Sequence, residues 1–412
     1  MDRSDVAIIG AGPYGLSAAA HLRQIPGLDI RLFGEPMSFW ERHMPRGMRL
    51  RSPWLGSHIA DPEKRFTLDA YRDAVGPAGL AYPVPAADFV KYGRWFQEQA
   101  AVPAHRSTVT RIEPGPGGFQ LSTEEGRTFL ARRVIIASGI QPFAYRPDIF
   151  KGLPASLVSH TSEAVDCAKF RDKQVIVVGA GQSALEAAGF MAAAGAQVQV
   201  LTRNPSVHWL GRRPWMHGKA LGWLLYAKSD IGPAGVSQIV HRPNLFRRLP
   251  RRLQAWWGPR SVRPAVLDTL VAQVQNLTIR GQRFPVDAVP YGDRLRVRLN
   301  DGSECLADHV VLGTGYRVNV ARYPFLPAEF VERIDRVDGY PRLDSGFETS
   351  VPALHFLGAP AAWSFGPLMR FVAGTEFTAR ALAKRVGRAT ERSRVAVPGP
   401  MLRDASGVER TL

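Results

Sequence analysis

The chain has 412 residues, 45% of them hydrophobic, with a formal net charge of +17. That length sets two or three domains around a large buried core, and no apolar run approaches the roughly eighteen residues that cross a bilayer. Two cysteines, Cys167 and Cys305, lie far apart and exclude a C-x-x-C dithiol or a disulfide framework, which sets the expectation of a reduced, cytoplasmic protein. The charge points to anionic ligands, yet only eight of the 53 basic residues are lysines, an arginine skew that coding bias explains. No basic run interleaved with aromatics is present, so no nucleic-acid partner is expected.

The N-terminus, MDRSDVAIIG, enters a strand almost at once, so no signal peptide is expected. VAIIGAGPYGLSAAAHL (6–22) then reads as strand 5–10, a glycine turn and helix 15–24, followed by strand 29–33. Glycines between a strand and an alanine-rich helix let a backbone approach a pyrophosphate, and the helix N-terminus supplies free N–H groups. Gly10, Gly12 and Gly15 take this role, with Pro13 at the helix start. The second strand ends DIRLFGEP, where Glu35 is the acidic candidate for ribose hydroxyls. YPVPAADFVKYGRWFQEQ (82–99) carries Phe89, Tyr92, Trp95 and Phe96 at helical spacing and reads as core.

The pattern recurs at VIVVGAGQSALEAA (175–188), as strand 174–178, helix 182–194 and strand 197–202. Gly179 and Gly181 form the turn, Gln182 and Ser183 open the helix, and Ala184 replaces the third glycine. The strand ends VQVLTRNP, with Arg203 where an acid would bind ribose. It is either a surface arginine of an arginine-rich chain or, as its position favours, the partner of a 2′-phosphate, hence NADPH. GRTFLARRVIIASG (126–139) and GSECLADHVVLGTG (302–315) align without a gap, each preceded by a strand (119–123 and 294–300). Each unit therefore ends in a β-meander and a returning strand. The expected fold is α/β, with two Rossmann-like dinucleotide-binding domains.

Residues 204–265 interrupt the second unit and hold five of the nine tryptophans, Trp209, Trp215, Trp223, Trp256 and Trp257. The simpler reading is a helical insertion with packed aromatics and solvated arginines. A lid touching a membrane or an acidic carrier through 242–263 is the less favoured alternative. Residues 388–412 read as a polar tail, and no histidine spacing suits a metal.

The motifs together resemble the flavoproteins with two dinucleotide-binding domains and, within them, the single-component (class B type) flavin-dependent monooxygenases: flavin-containing monooxygenases, microbial N-hydroxylases and Baeyer–Villiger enzymes. GAGPYG (10–15) resembles the FAD turn, ASG (137–139) and LGTGY (312–316) the small-residue corners, and GAGQSALEAA (179–188) the NADPH turn. PALHFLGAP (352–360) and FGPLMRFVAGTEFTARAL (365–382) resemble the C-terminal FAD segment, where a helix opened by Gly366–Pro367 starts beneath the flavin.

The resemblance implies an FAD domain from 1–160 and 312–387, with an NADPH domain, 165–311, inserted between. It adds Trp40, Gly139, Gly315, Gly358, Gly366 and Pro367 to the FAD side. It implies a cycle in which NADPH reduces FAD, O2 forms a C4a-(hydro)peroxide, and one oxygen atom passes to a small-molecule nitrogen, sulfur, ring or carbonyl. The alternative is an FAD-dependent NADPH reductase or oxidase without oxygen insertion and without a redox disulfide. Arg49, Trp54 and His58 are the catalytic candidates, on the segment that approaches the flavin; for His58 a structural role is the commoner one. Two motifs depart from the family. FKGLPASLVSH (150–160) has a longer gap before its histidine, and MRLRSPWLGSHIADP (48–62) carries Ser57 and His58 where animal-type members place an asparagine. GEPMSFWERHMPRGMRLRSPW (34–54) is closer to a bacterial subgroup of small-molecule hydroxylases.

Overall fold

The computed structural model describes residues 2–76, 80–163, 166–210, 222–262, 266–267 and 270–395. The first part of the chain supplies β1 (Asp2–Ile9), α1 (Pro13–Leu22), β2 (Ile30–Phe33), α2 (Ala86–Gln99), β3 (Ala104–His105), β4 (Val109–Gly115), β5 (Gly118–Thr123) and β6 (Thr128–Ile136). The second unit supplies β7 (Val158–His160), β8 (Gln174–Val178), α3 (Gln182–Ala193) and β9 (Gln197–Leu201). It continues with β10 (Thr278–Arg280), β11 (Pro285–Tyr291), β12 (Arg294–Leu299), β13 (Glu304–Ala307) and β14 (His309–Leu312). The chain then returns to the first sheet as β15 (Leu354–Phe356) and closes with α4 (Gly374–Val395).

Two sheets follow. The first runs β3-β2-β1-β6-β5-β4, and β15 lies beside the C-terminal half of β6. β1, β2, β3, β6 and β15 are parallel, whereas β4 and β5 are the antiparallel meander. The second runs β10-β9-β8-β14-β7, all parallel, with β11-β12-β13 as a separate antiparallel meander. The fold is thus mixed α/β. Val6 to Ile9 of β1 and Val175 to Val177 of β8 are buried, as strands covered on both faces require. β5 instead alternates buried and half-buried residues, as a one-faced meander strand should.

The two copies differ at one point. β6 is continuous, pairing with the meander through its first half and with the parallel strands through its length. Its counterpart splits into β13 and β14 at Asp308, whose carboxylate accepts from the Gln174 N–H at 2.7 Å and pairs with Arg294 at 2.9 Å. In α2, Phe89, Tyr92 and Phe96 are fully buried, as their spacing implies. The Tyr92 hydroxyl accepts from the Ile59 N–H at 3.0 Å and donates to the Phe66 carbonyl at 2.8 Å, fixing the 57–66 loop.

The insertion packs on the first sheet's core. Ile231, Val240 and Phe246 are buried there and Trp257 lies against it, while Trp256 is exposed. Arg251 stacks 3.7 Å over Trp363 and Arg247 4.7 Å over Phe365. Trp215 and the tail beyond residue 395 lie outside the described residues. α4 carries helix through 388–395, into the stretch expected to be a polar tail. Among the described residues no helix is long and apolar enough to cross a membrane.

Candidate active site

At the first glycine turn, Gly10 sits at φ +108°, and a Cβ there would lie 2.5 Å from the Ala137 carbonyl oxygen. A side chain at Gly15 would run into the Gly10 carbonyl. A Cβ at Gly12, in contrast, would meet nothing within 4 Å. Two glycines close the strand–helix packing, and the third leaves a free approach to the backbone. Gly12 is the N-cap of α1, and no side chain caps that helix, so its first N–H groups remain available to an anion. This cradle suits a pyrophosphate: the helix N-terminus and Gly12 would hold it, with Glu35 after β2 beside a ribose. Glu35 forms an ion pair with Arg42.

The C-terminal segment closes this cradle. Gly358 (φ +75°) lies against the Tyr14 ring, and the Tyr14 hydroxyl reaches the carbonyls of Met369 and Phe371 at 3.0 and 2.8 Å. Residues more than 350 positions apart thereby meet. The helix expected to open at Gly366–Pro367 is corrected by the structure. Pro367–Arg370 is a single 3-10 turn, and the long helix α4 begins only at Gly374. The Phe246 ring occupies the place a Cβ at Gly366 would need, so the insertion covers this corner.

The second turn lines a cavity of ≈ 710 Å³. Gly179 to Ala184 form one wall, with Arg203 and Asn204 at the end of β9. Gly315 and Tyr316 follow the β14 corner, while Met44, Met48 and Arg51 come from the first unit's loop and Ala359, Arg370 and Phe371 from the C-terminal segment. The expected residues Gly179, Gly181, Gln182, Ser183, Arg203 and Gly315 therefore converge on one space. Gly139, the first unit's equivalent of Gly315, also has positive φ and open space at its Cβ position.

His160, the displaced histidine of the 150–160 motif, is fully buried. Its Nδ1 accepts from the Ser162 N–H at 3.2 Å, leaving Nε2 to donate to the Gly315 carbonyl at 3.2 Å. Burial pushes its pKa down to about 4, so the ring is a neutral clasp on the corner.

Arg49, Trp54 and His58 are placed elsewhere. Trp54 Nε1 donates to Asp69 at 3.0 Å, Arg72 stacks over its ring at 5.2 Å, and it borders a separate cavity of ≈ 440 Å³ with Leu55 and Tyr82. His58 Nε2 lies 3.7 Å from Asp69, and burial lowers its pKa against the pull of that carboxylate. The Arg49 guanidinium donates to the Pro83 carbonyl at 2.8 Å. Trp40 packs edge-on against Phe89, with ring centroids 4.8 Å apart. None of these four lines the large cavity.

Two residues of the cavity lie within the quoted motifs but were not among the expected site residues, Glu186 and Arg51. Glu186, on α3, is 2% exposed and lines it. Its Oε1 accepts from the Arg49 N–H at 3.4 Å, its Oε2 has no partner, and burial raises its pKa to about 7. Arg51 is the charge that opposes this shift. A carboxylate one turn after Gln182, inside the apolar run SALEAA, was the available signal.

Residues 7–216 match the pyridine nucleotide-disulphide oxidoreductase family, and the chain belongs to it. Within that family it is a single-component, FAD-dependent monooxygenase. It is 30% identical over 329 residues to indole-3-pyruvate monooxygenase YUCCA1 of Oryza sativa subsp. japonica, covering 76% of this chain and 77% of that protein. It is also 30% identical over 217 residues to the FAD-dependent urate hydroxylase of Xanthomonas campestris pv. campestris, a match spanning 49% of this chain and 46% of the hydroxylase. Among solved structures, the ornithine N-hydroxylase of Kutzneria sp. 744 superposes with a TM-score of 0.76 at 18% identity, over 94% of this chain and all of that one.

Proposed function

We propose that the chain is an NADPH-using monooxygenase that places one oxygen atom of O2 on a small molecule. The balanced reaction takes substrate, O2, NADPH and one proton to oxygenated substrate, water and NADP+. In this reading the two strand–glycine–helix units are Rossmann-like dinucleotide sites, the first for FAD and the second for NADPH. The domain boundaries are those of the repeat, 1–160 with 312–387 and 165–311. FAD, when bound, supplies the redox and oxygen chemistry. The chain's own residues bind, orient and exclude water. Gly12 and the α1 N-terminus hold one pyrophosphate, Gly181 and the α3 N-terminus the other, and Arg203 selects the 2′-phosphate.

The observation that carries this reading is the shared cavity. Residues of the second turn and of the C-terminal segment that closes the first line one space of ≈ 710 Å³. A donor bound at the second turn and a flavin reaching from the first would meet there. Met44, Met48 and Phe371 give it an apolar wall suited to excluding water.

The test is stoichiometric. With a panel of small aromatic acids, amines and sulfides, the reading expects oxygenated product to track NADPH consumed. Full conversion of that NADPH to hydrogen peroxide with every compound would favour an oxidase.

A further inference from the structure

We propose that Glu186 is the proton-holding group of the cavity, taking up a proton when an anionic dinucleotide enters and releasing it when the ligand leaves. This rests on the reading of the second turn as a dinucleotide site.

Glu186 follows Gln182 by one turn of α3, the helix whose N-terminus carries the glycine turn. It is almost wholly buried, yet it borders the space a ligand would fill. An ionised carboxylate there needs donors for both oxygens. Oε1 receives the Arg49 N–H, and the polar Gln182 side chain favours the ionised carboxyl. Oε2 has no partner, and neither has the buried Gln182 Oε1 beside it.

The surrounding charges leave the group balanced between states. Arg51, from the loop packed on α3, favours the carboxylate, while burial favours the acid and raises the pKa to about 7. The other elements packed on α3 are β8, β9, the 3-10 turn Cys167–Phe170, Val266–Leu267 and the helix Val271–Val274. Their ionisable groups are Cys167 and Lys169, and neither is among the charges that set its ionisation. The cavity also carries His43, Arg203 and Arg370.

A pyrophosphate and a 2′-phosphate entering this space add negative charge near a half-ionised carboxylate. They displace water from it and draw on the same arginines. Each effect favours the protonated form. A ligand that moves the midpoint up by about one pH unit draws in about 0.4 proton per site near pH 7. The proton passes from solvent to Oε2, and no bond to carbon or oxygen of the ligand changes. The monooxygenase reaction consumes one proton per turnover, so a group loaded by donor binding places that proton inside the cavity.

The experiment is calorimetric titration of the FAD-loaded protein with NADP+ near pH 7, in buffers of different ionisation enthalpy, for wild type and Glu186→Gln. The ligand's own 2′-phosphate exchanges protons in both proteins, so the difference between them is the readout. Wild type is expected to take up about 0.4 proton more than Glu186→Gln. In infrared difference spectra on adding NADP+, a protonated-carboxyl band should appear in wild type and be absent from the variant. Should Glu186→Gln fold poorly, Arg51→Met serves instead. Without its counter-charge Glu186 should hold its proton to higher pH, so uptake near pH 7 should shrink and move to higher pH. Saturable NADP+ binding with equal proton counts and no such band overturns the inference and leaves the dinucleotide reading standing. No NADP+ binding to wild type overturns both.

Discussion

In the first turn the helix carries glycine, Gly15, and the returning strand carries Ala137. In the second the helix carries Ala184 and the strand carries Gly313, where a Cβ would collide with the Ala184 methyl. The surrounding hydrogen bonds are the same. The Gly10 N–H donates to Phe33 at 2.8 Å and Ala137 to Ile9 at 2.8 Å; Gly179 donates to Leu201 at 3.0 Å and Gly313 to Val178 at 2.8 Å. The missing third glycine is thus offset by a glycine 129 positions later in the chain. The corners differ too. The Gly139 carbonyl accepts from the Tyr323 hydroxyl at 2.7 Å, the Gly315 carbonyl from a histidine. The same backbone shape is held in one unit by a phenol and in the other by a titratable ring.

The largest effect should come from filling the cradles one at a time. Gly12 and Gly181 are N-caps with φ near −81° and −89°, which any residue adopts. Gly12→Val should leave the helix content by circular dichroism intact and yield protein without flavin absorbance. Gly181→Val should stay yellow and lose NADP+ binding by titration.

Next comes packing. Gly313→Ala should lower stability by about 3 kcal/mol through overpacking, read as a fall in Tm. The double variant with Ala184→Gly should recover most of it. Gly15→Ala should be as harmful, and Ala137→Gly should not rescue it, because the obstacle is the Gly10 carbonyl.

The histidine clasp adds a pH term of about 3 kcal/mol. His160 titrates near 4 in the fold and near 6.5 when unfolded. The unfolded chain therefore binds the extra proton between those values. The stability from its neutral form is full above the upper value and is lost as pH falls toward the lower. Denaturant midpoints across that range should fall less steeply for His160→Gln, while buried His355, also near 4, keeps part of the slope in place.

The smallest expected effect is on donor choice. Arg203→Ser should raise the KM for NADPH about tenfold, roughly 1.4 kcal/mol, and leave that for NADH nearly unchanged. Equal changes would remove Arg203 from that role.

Much of this comparison was legible in the sequence. Both strand–turn–helix units, both meanders and the returning corners follow from glycine placement and period-two alternation, since those patterns are local. The converging cavity wall of Gly179 to Ser183, Arg203 and Gly315 was legible for the same reason. What stayed hidden depends on distant contacts. Arg49, Trp54 and His58 sit on the expected segment, but the Pro83 carbonyl holds the Arg49 guanidinium, Asp69 holds Trp54 and faces His58, and Trp54 borders another cavity. Glu186 acts through Arg51 and the Arg49 N–H, more than 130 residues earlier. The Gly366–Pro367 pair signals a helix start, yet the turn breaks before Gly374, where a Cβ would strike the Leu368 carbonyl at 2.7 Å.

Anaerobic mixing of NADPH with the yellow protein tests the two-cradle assignment most directly, with Gly181→Val alongside and dithionite as a reductant that needs no binding site. Bleaching by NADPH in wild type only, and by dithionite in both, is the predicted result. Equal bleaching of both proteins by NADPH would contradict it, as would loss of the flavin from Gly181→Val.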